Sequence, residues 1–262
     1  MISFTILLNS FVYGLADHNF TLPPTWASCL ATLIPKTSAP SAFTDFREIV
    51  KLACCLKVVY KLCTIDMETH MRPLPDYLFG GRKGLRCGHM QLFINHLIIS
   101  SNRWGPAICV AKVDLRRAFA SLPKTLILEA LIFAGVPPWL RSLLLFLLDH
   151  LNVNPTMRGS SAGWVHFENG VREGGPHSML ILNVVMAFLL SQLIPKWEAA
   201  GHGFRAKNAC KSYFVVFWVD DGFFFSSTPW GLQSMYHDFV ALLTFYKGAV
   251  SPKKTSWITN AY

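Results

Sequence analysis

Charge is scarce in this chain. Only 15% of its 262 residues are Asp, Glu, Lys or Arg, while 52% are hydrophobic, a balance that supports a large buried core without any staple. The seven cysteines (Cys29, Cys54, Cys55, Cys63, Cys87, Cys109 and Cys210) include no C-x-x-C pair, and the nine histidines form no His-x3-His or Cys/His cluster. That argues against a zinc ribbon or a secreted disulfide scaffold and for free thiols in an intracellular, reducing compartment, with nucleus and cytoplasm undistinguished. No repeat, low-complexity tract or long Gly/Ser linker divides the chain. Residues 1–15 are apolar but lack a basic n-region and a small-residue cleavage site, so a signal peptide is not expected. A long unbroken apolar run is missing too. Residues 139–151 are interrupted by Arg141 and Asp149, and residues 179–194 carry Asn183, Ser191 and Gln192 and fall short of the ~20 residues that cross a bilayer. Buried core helices, with no membrane partner, are the expectation for both.

The charge that is present leans one way. Lys and Arg number 24 against 15 Asp and Glu, a net +9, which points to a polyanionic partner, either nucleic acid or an acidic membrane surface.

Residues 213–227, YFVVFWVDDGFFFSS, read as a buried strand, a tight turn and a returning strand. The Asp-Gly step fits a turn, where glycine accepts a positive φ. A hairpin this apolar does not need two carboxylates at its tip. Asp220 beside Asp221 is easier to explain if a hard divalent cation takes their oxygens. Upstream, residues 106–114 form an apolar strand that ends on a third carboxylate, Asp114.

The remaining pieces fall in order. The first 25 residues are uninformative. Residues 26–36 form a short apolar segment ending in Pro35-Lys36, followed by a Ser/Ala/Pro loop and then FREIVKL. Lys36 and Arg47 thus stand at the ends of two short elements, where Lys offers a phosphate a point charge and Arg a planar fork. Residues 53–71 are helical by the spacing of Leu56, Val59, Tyr60 and Cys63. The stretch 73–88, PLPDYLFGGRKGLRCG, carries Arg82, Lys83 and Arg86 among glycines and suits a loop gripping a nucleic-acid strand or triphosphate. Helices are expected from His89, after Pro123, after Pro138, from Pro176 with His177 and Ser178 in the first turn, and over 230–247, with short strands in 152–170 and after Lys254.

These pieces, in this order, resemble the fingers and palm of a reverse transcriptase of the non-LTR retrotransposon and group II intron type. The resemblance runs from about Trp26 to Ile258 and is carried by LIPK, FREI, FGGRKG, DLRRAF at Asp114, GVREGGPHSMLILNVVM at Gly170, WVDD at Trp218 and Lys254-Thr255. It implies an α+β right-hand polymerase with fingers over 26–105 and a ferredoxin-like palm over 106–262. It further implies RNA-directed DNA synthesis on an RNA template with a DNA primer and dNTPs, assisted by two Mg²⁺ ions for which Mn²⁺ can substitute. Asp114 and Asp220 would be the principal catalytic metal ligands and Asp221 the lesser one. Phe119 would be the gate that selects deoxynucleotides, and Lys36, Arg47, Arg82, Lys83, Gly174 and Lys254 would touch nucleotide or template. The family usually has Gln at Glu173, Cys or a similar residue at Gly175, Pro at Glu48 and Met179, Tyr or Phe at Trp218, and a second Asp at Ala120. Glu173 would place a negative charge near the triphosphate. With no thumb after Ile258 and no endonuclease before Trp26, a fragment or decayed copy of a retroelement polyprotein is expected. An inactive nucleic-acid-binding remnant and an RNA-dependent RNA polymerase are the alternatives, and hydropathy alone would favour a multi-pass membrane protein.

Overall fold

The computed structural model of the chain describes residues 22–42, 45–157, 160–161, 163–207 and 209–260. In chain order the elements are α1 (Pro24–Ala27), β1 (Ser28–Pro35), β2 (Phe46–Lys51), α2 (Cys54–His70), α3 (Cys87–Trp104), β3 (Cys109–Asp114), α4 (Lys124–Phe133), α5 (Pro138–Asp149), β4 (Asn152–Met157), β5 (Ser160–Ser161), β6 (Val165–His166), α6 (Ser178–Ala199), β7 (Val215–Trp218), β8 (Asp221–Ser226), α7 (Pro229–Phe245) and β9 (Ser256–Thr259). They form two compact units. The first takes the described residues up to Met71 together with Gly135–Ser178, and the second takes Arg72–Ala134 with the residues from Met179 onward. A parallel pairing of β1 with β4, Ser28 opposite Asn152 through Thr32 opposite Thr156, brings residues 135–178 to the N-terminal elements.

In the first unit β1 also pairs antiparallel with β2, and β4 carries β5 and β6. Helix α2 buries Leu56, Val59, Tyr60, Cys63 and Met67, the face its spacing predicts. It packs against α5, which buries Leu140, Leu143, Leu144, Leu147 and Leu148. Beside them His177 is fully buried, its ring stacked on Tyr60 at 3.6 Å between centroids.

The second unit is an antiparallel sheet in the order β7-β8-β3-β9. Side chains of a strand alternate between faces, and here the two faces do different work. Val110 and Phe225, an opposed pair, join Met90 and Leu97 of α3, Ile108, Phe204 and Val216 in one core. Further along this same face, at the sheet's end, stand Lys112, Asp114 and Asp221. The opposite face lies under α7, where Phe224 meets Phe239 at 5.2 Å and Trp197 at 5.9 Å between ring centroids. Sheet and helices together make the α+β fold expected of a polymerase fingers and palm.

Two sequence expectations need correction. Helix α6 begins at Ser178, just after the Pro176 that marks a helix start, but it runs past the 16-residue apolar stretch and through Pro195 to Ala199, 22 residues in all. It is long and apolar enough to cross a bilayer, yet 67% of its most apolar window is buried within the protein. The second concerns the hairpin. Gly222 is not the turn residue: it lies in β8 opposite both Phe217 and Val113, and a Cβ there would sit 2.6 Å from the Phe217 ring. The positive φ falls instead on Val219, at 59°.

Candidate active site

Asp114 closes β3 because the strand's apolar run ends there, and the backbone on either side is tied down. Its carbonyl accepts from the Ser251 N–H at 2.8 Å, and the next residue, Leu115, donates to the carbonyl of Asp220 at 3.1 Å. The β7–β8 turn is thus bound directly to the end of β3. Asp114 and Asp221 are opposite one another in register, which in an antiparallel pair sets their Cα atoms about 4.5–5.5 Å apart. Three carboxylates, Asp114 and, more than a hundred positions later, the adjacent Asp220 and Asp221, meet at one sheet edge. Asp114 is buried. Burial pushes the Asp220 carboxyl above its ordinary pKa, and the neighbouring charges of Asp221 and Asp114 push the same way.

Lysines answer two of these charges. Lys254, in the 3₁₀ turn Pro252–Lys254, places its Nζ 3.2 Å from Asp114 Oδ1, and Lys112 places its Nζ 3.0 Å from Asp221 Oδ1. Lys254 was expected in the site from the sequence. Lys112 was not, although the signal was there: it is two residues before Asp114 in a strand and so shares its face. Phe119 stands in the turn that follows β3, half-buried.

The glycine-rich loop also serves this hairpin. At Gly80 a Cβ would lie 2.5 Å from the Val219 nitrogen, and at Gly81 one would lie 2.9 Å from Met179 Cβ. Asn183 of α6 donates to the Gly80 carbonyl at 2.7 Å. The Arg82 guanidinium turns back on its own loop, donating from one nitrogen to the carbonyls of Pro75 at 3.1 Å and Leu78 at 3.2 Å. Lys83 and Arg86 are exposed. Gly80 therefore packs the loop against the β7–β8 turn and Gly81 packs it against the start of α6, a role that sequence reasoning, which gave these glycines a ligand's backbone approach, did not find.

The other expected contacts lie in the first unit. Lys36 follows β1 and its N–H donates to the Asp45 carbonyl at 2.7 Å, while Arg47 in β2 is opposite Ile34. The loop between them is closed by the Asp45 carboxylate, which accepts from the N–H groups of Ser41 and Ala42 at 2.9 and 3.0 Å and is held below the usual carboxylate pKa by those bonds. Glu173 pairs with Arg47 at 3.9 Å, and its carbonyl accepts from Val50. Arg158, one cation that could have answered Glu173, lies outside the described residues. Gly174 has φ 107°, and a Cβ there would meet the Val50 carbonyl at 2.8 Å, so only glycine suits the position.

The donor set is right for a hard divalent cation, since it consists of carboxylates converging from two strands. Among the described residues no three His, Cys, Asp or Glu side chains are gathered to hold an ion as they stand. An ion here would have to share oxygens that Lys112 and Lys254 now approach.

Residues 34–261 match the reverse transcriptase (RNA-dependent DNA polymerase) family. The chain belongs to that family. Its reverse transcriptase domain is of the non-LTR retrotransposon type, as its likeness to a Pol polyprotein of the type-1 retrotransposable element R2 from Popillia japonica indicates, with 24% identity over 130 residues. That alignment covers 50% of this chain and 21% of the polyprotein, so the reverse transcriptase domain spans a small part of the relative it matches. Among solved structures, the apo telomerase of Candida tropicalis truncated from its C-terminal domain has the same fold, at a TM-score of 0.63 and 14% identity over 98% of this chain and 56% of that one. The Candida tropicalis telomerase in complex with a TWJ fragment of telomeric RNA aligns at a TM-score of 0.61 and 13% identity, covering 98% of this chain and 44% of the telomerase.

Proposed function

We propose that this chain performs RNA-templated DNA synthesis, joining dNTPs to a DNA primer at the edge where Asp114, Asp220 and Asp221 meet. The observation that carries the reading is the tie between strands: Asp114 opposite Asp221, with Leu115 donating to the Asp220 carbonyl. Nucleotidyl transfer is mostly positioning plus charge stabilisation, and a rigid cluster of carboxylates supplies the anchor for both. Asp114 and Asp220 would hold divalent metal, Mg²⁺ or Mn²⁺, which when bound neutralises the transferring phosphate and polarises it for attack. Asp220 is suited to this, since the burial that raises its pKa also strengthens its attraction for a cation. Phe119, just after the first carboxylate, would face the sugar of the incoming nucleotide. Lys254 would neutralise phosphate charge from its place beside Asp114. In the other unit Lys36 and Arg47 would take phosphate oxygens at the ends of β1 and β2, and Gly174 would let backbone come close to nucleotide or template. Lys83 would follow a template phosphate, and Arg82 would act in the same loop by holding its shape. All seven cysteines are free, which supports work in a reducing, intracellular compartment.

Primer extension on an RNA template tests the reading. Wild type should extend with dNTPs and divalent metal. Asp114→Asn and Asp220→Asn, which keep shape but remove an anionic oxygen, should lose extension by at least a thousandfold with an unchanged melting temperature. Extension retained by either variant refutes the assignment, and no extension by a folded wild type in either metal favours the nucleic-acid-binding remnant.

A further inference from the structure

The geometry points to Lys112 as a positioning residue that competes with metal for Asp221. The inference rests on the proposed reading of Asp114, Asp220 and Asp221 as the metal-holding edge. Period-two alternation puts Lys112 on the face of β3 that carries Asp114, and the register sets it opposite Phe223, diagonal to Asp221. From there its Nζ reaches Asp221 Oδ1 at 3.0 Å. An ammonium and a divalent ion are rivals for one carboxylate oxygen, because both approach along the same lone pairs. The Lys112 and Asp221 side chains are 42% and 36% exposed, so water and Lys112 both weaken the hold of Asp221 on a cation.

Trp218 is opposite Asp221 across the hairpin, so indole-sensitised terbium luminescence reads cation binding at this edge without any need for polymerase turnover. Asp220→Asn should lose most of the signal, which locates it. Lys112→Met should lower the half-saturating terbium concentration at least threefold, and Lys112→Gln should do the same if the Met variant folds poorly. Lys112→Arg, which keeps the charge and the reach, should stay within twofold of wild type. Lys253→Met removes a cation from the neighbouring 3₁₀ turn and serves as the control for net charge, again within twofold. Adding Asp221→Asn to Lys112→Met should abolish the gain. An unchanged or weaker affinity in both Lys112→Met and Lys112→Gln, an equal gain in Lys253→Met, or a gain that survives Asp221→Asn overturns the inference. Primer extension by wild type, measured separately, shows whether the polymerase reading stands or falls apart from this result.

Discussion

Gly80→Ala should disable catalysis from outside the carboxylate cluster. The added methyl would sit 2.5 Å from the backbone nitrogen of Val219 and 2.9 Å from its Cγ2. An ordinary contact needs about 3.4 Å or more, so something must yield by about 0.9 Å. The loop cannot retreat freely, because Asn183 holds the Gly80 carbonyl and Phe79 donates to the Phe217 carbonyl at 2.9 Å. The hairpin tip is the softer side, since Val219 already has φ 59°, a costly conformation for a β-branched residue. Overpacking of this kind costs about 1–3 kcal/mol, which in a chain of this size lowers the melting temperature by about 2–4 °C per kcal/mol. The larger effect is on rate. Asp220 follows Val219 directly, and a displacement near 1 Å at a reacting centre costs on the order of a hundredfold. Steady-state primer extension beside a thermal melt would show a loss of activity well beyond the loss of folded protein. Val219→Gly in the Gly80→Ala background removes the Cγ2 contact and relieves the positive φ, and should restore at least tenfold of the rate. Extension within twofold of wild type in Gly80→Ala refutes the reasoning.

Three other outcomes are expected. Lys83→Ala should flatten the salt dependence of single-stranded template binding by about 0.7 in log–log slope with no change in melting, whereas Arg82→Ala, which removes two hydrogen bonds within the loop, should also lower the melting temperature. Glu173→Gln should change kcat/KM by less than about fivefold in either direction, because Arg47 already answers the charge and both side chains are partly exposed, 62% and 32%; a larger gain would mark Glu173 as damage. His177 is pushed down to about 3 by burial, so the unfolded chain binds its proton first: stability is fully present above about pH 6.5 and falls by about 2 kcal/mol by pH 5. Thermal melts at pH 8 and pH 5 should show this loss in wild type and a smaller one in His177→Leu.

Much of the site could be read from the sequence because its parts are local. An apolar run ended by Asp114, and another ended by Asp220 and Asp221, give the two strands and their carboxylates with no knowledge of pairing. The helical face of α2 was equally plain from spacing. What could not be read depended on register. The Asp-Gly step suggested a turn centred on Gly222, but Phe217 requires that glycine for packing, and the strain passed to Val219. The cross-strand pair of Lys112 and Asp221 exists only once β3 and β8 are aligned. The β1–β4 pairing was hidden for the same reason, since it joins stretches with well over a hundred residues between them.

That pairing has a bearing on how the protein is made. Neither unit is a continuous stretch, for the chain crosses between them after Met71, after Ala134 and after Ser178. During synthesis the first unit can close once residue 178 has left the ribosome, but β3 must wait with both edges bare until β8 and then β9 arrive. For that interval Cys109–Asp114, an apolar strand buried on both faces in the finished sheet, has no partner. Exposed strands of this kind are where nascent chains misassemble. Slowed translation or chaperone capture over residues 179–220 should therefore decide the yield of soluble protein more than any substitution at the carboxylates themselves.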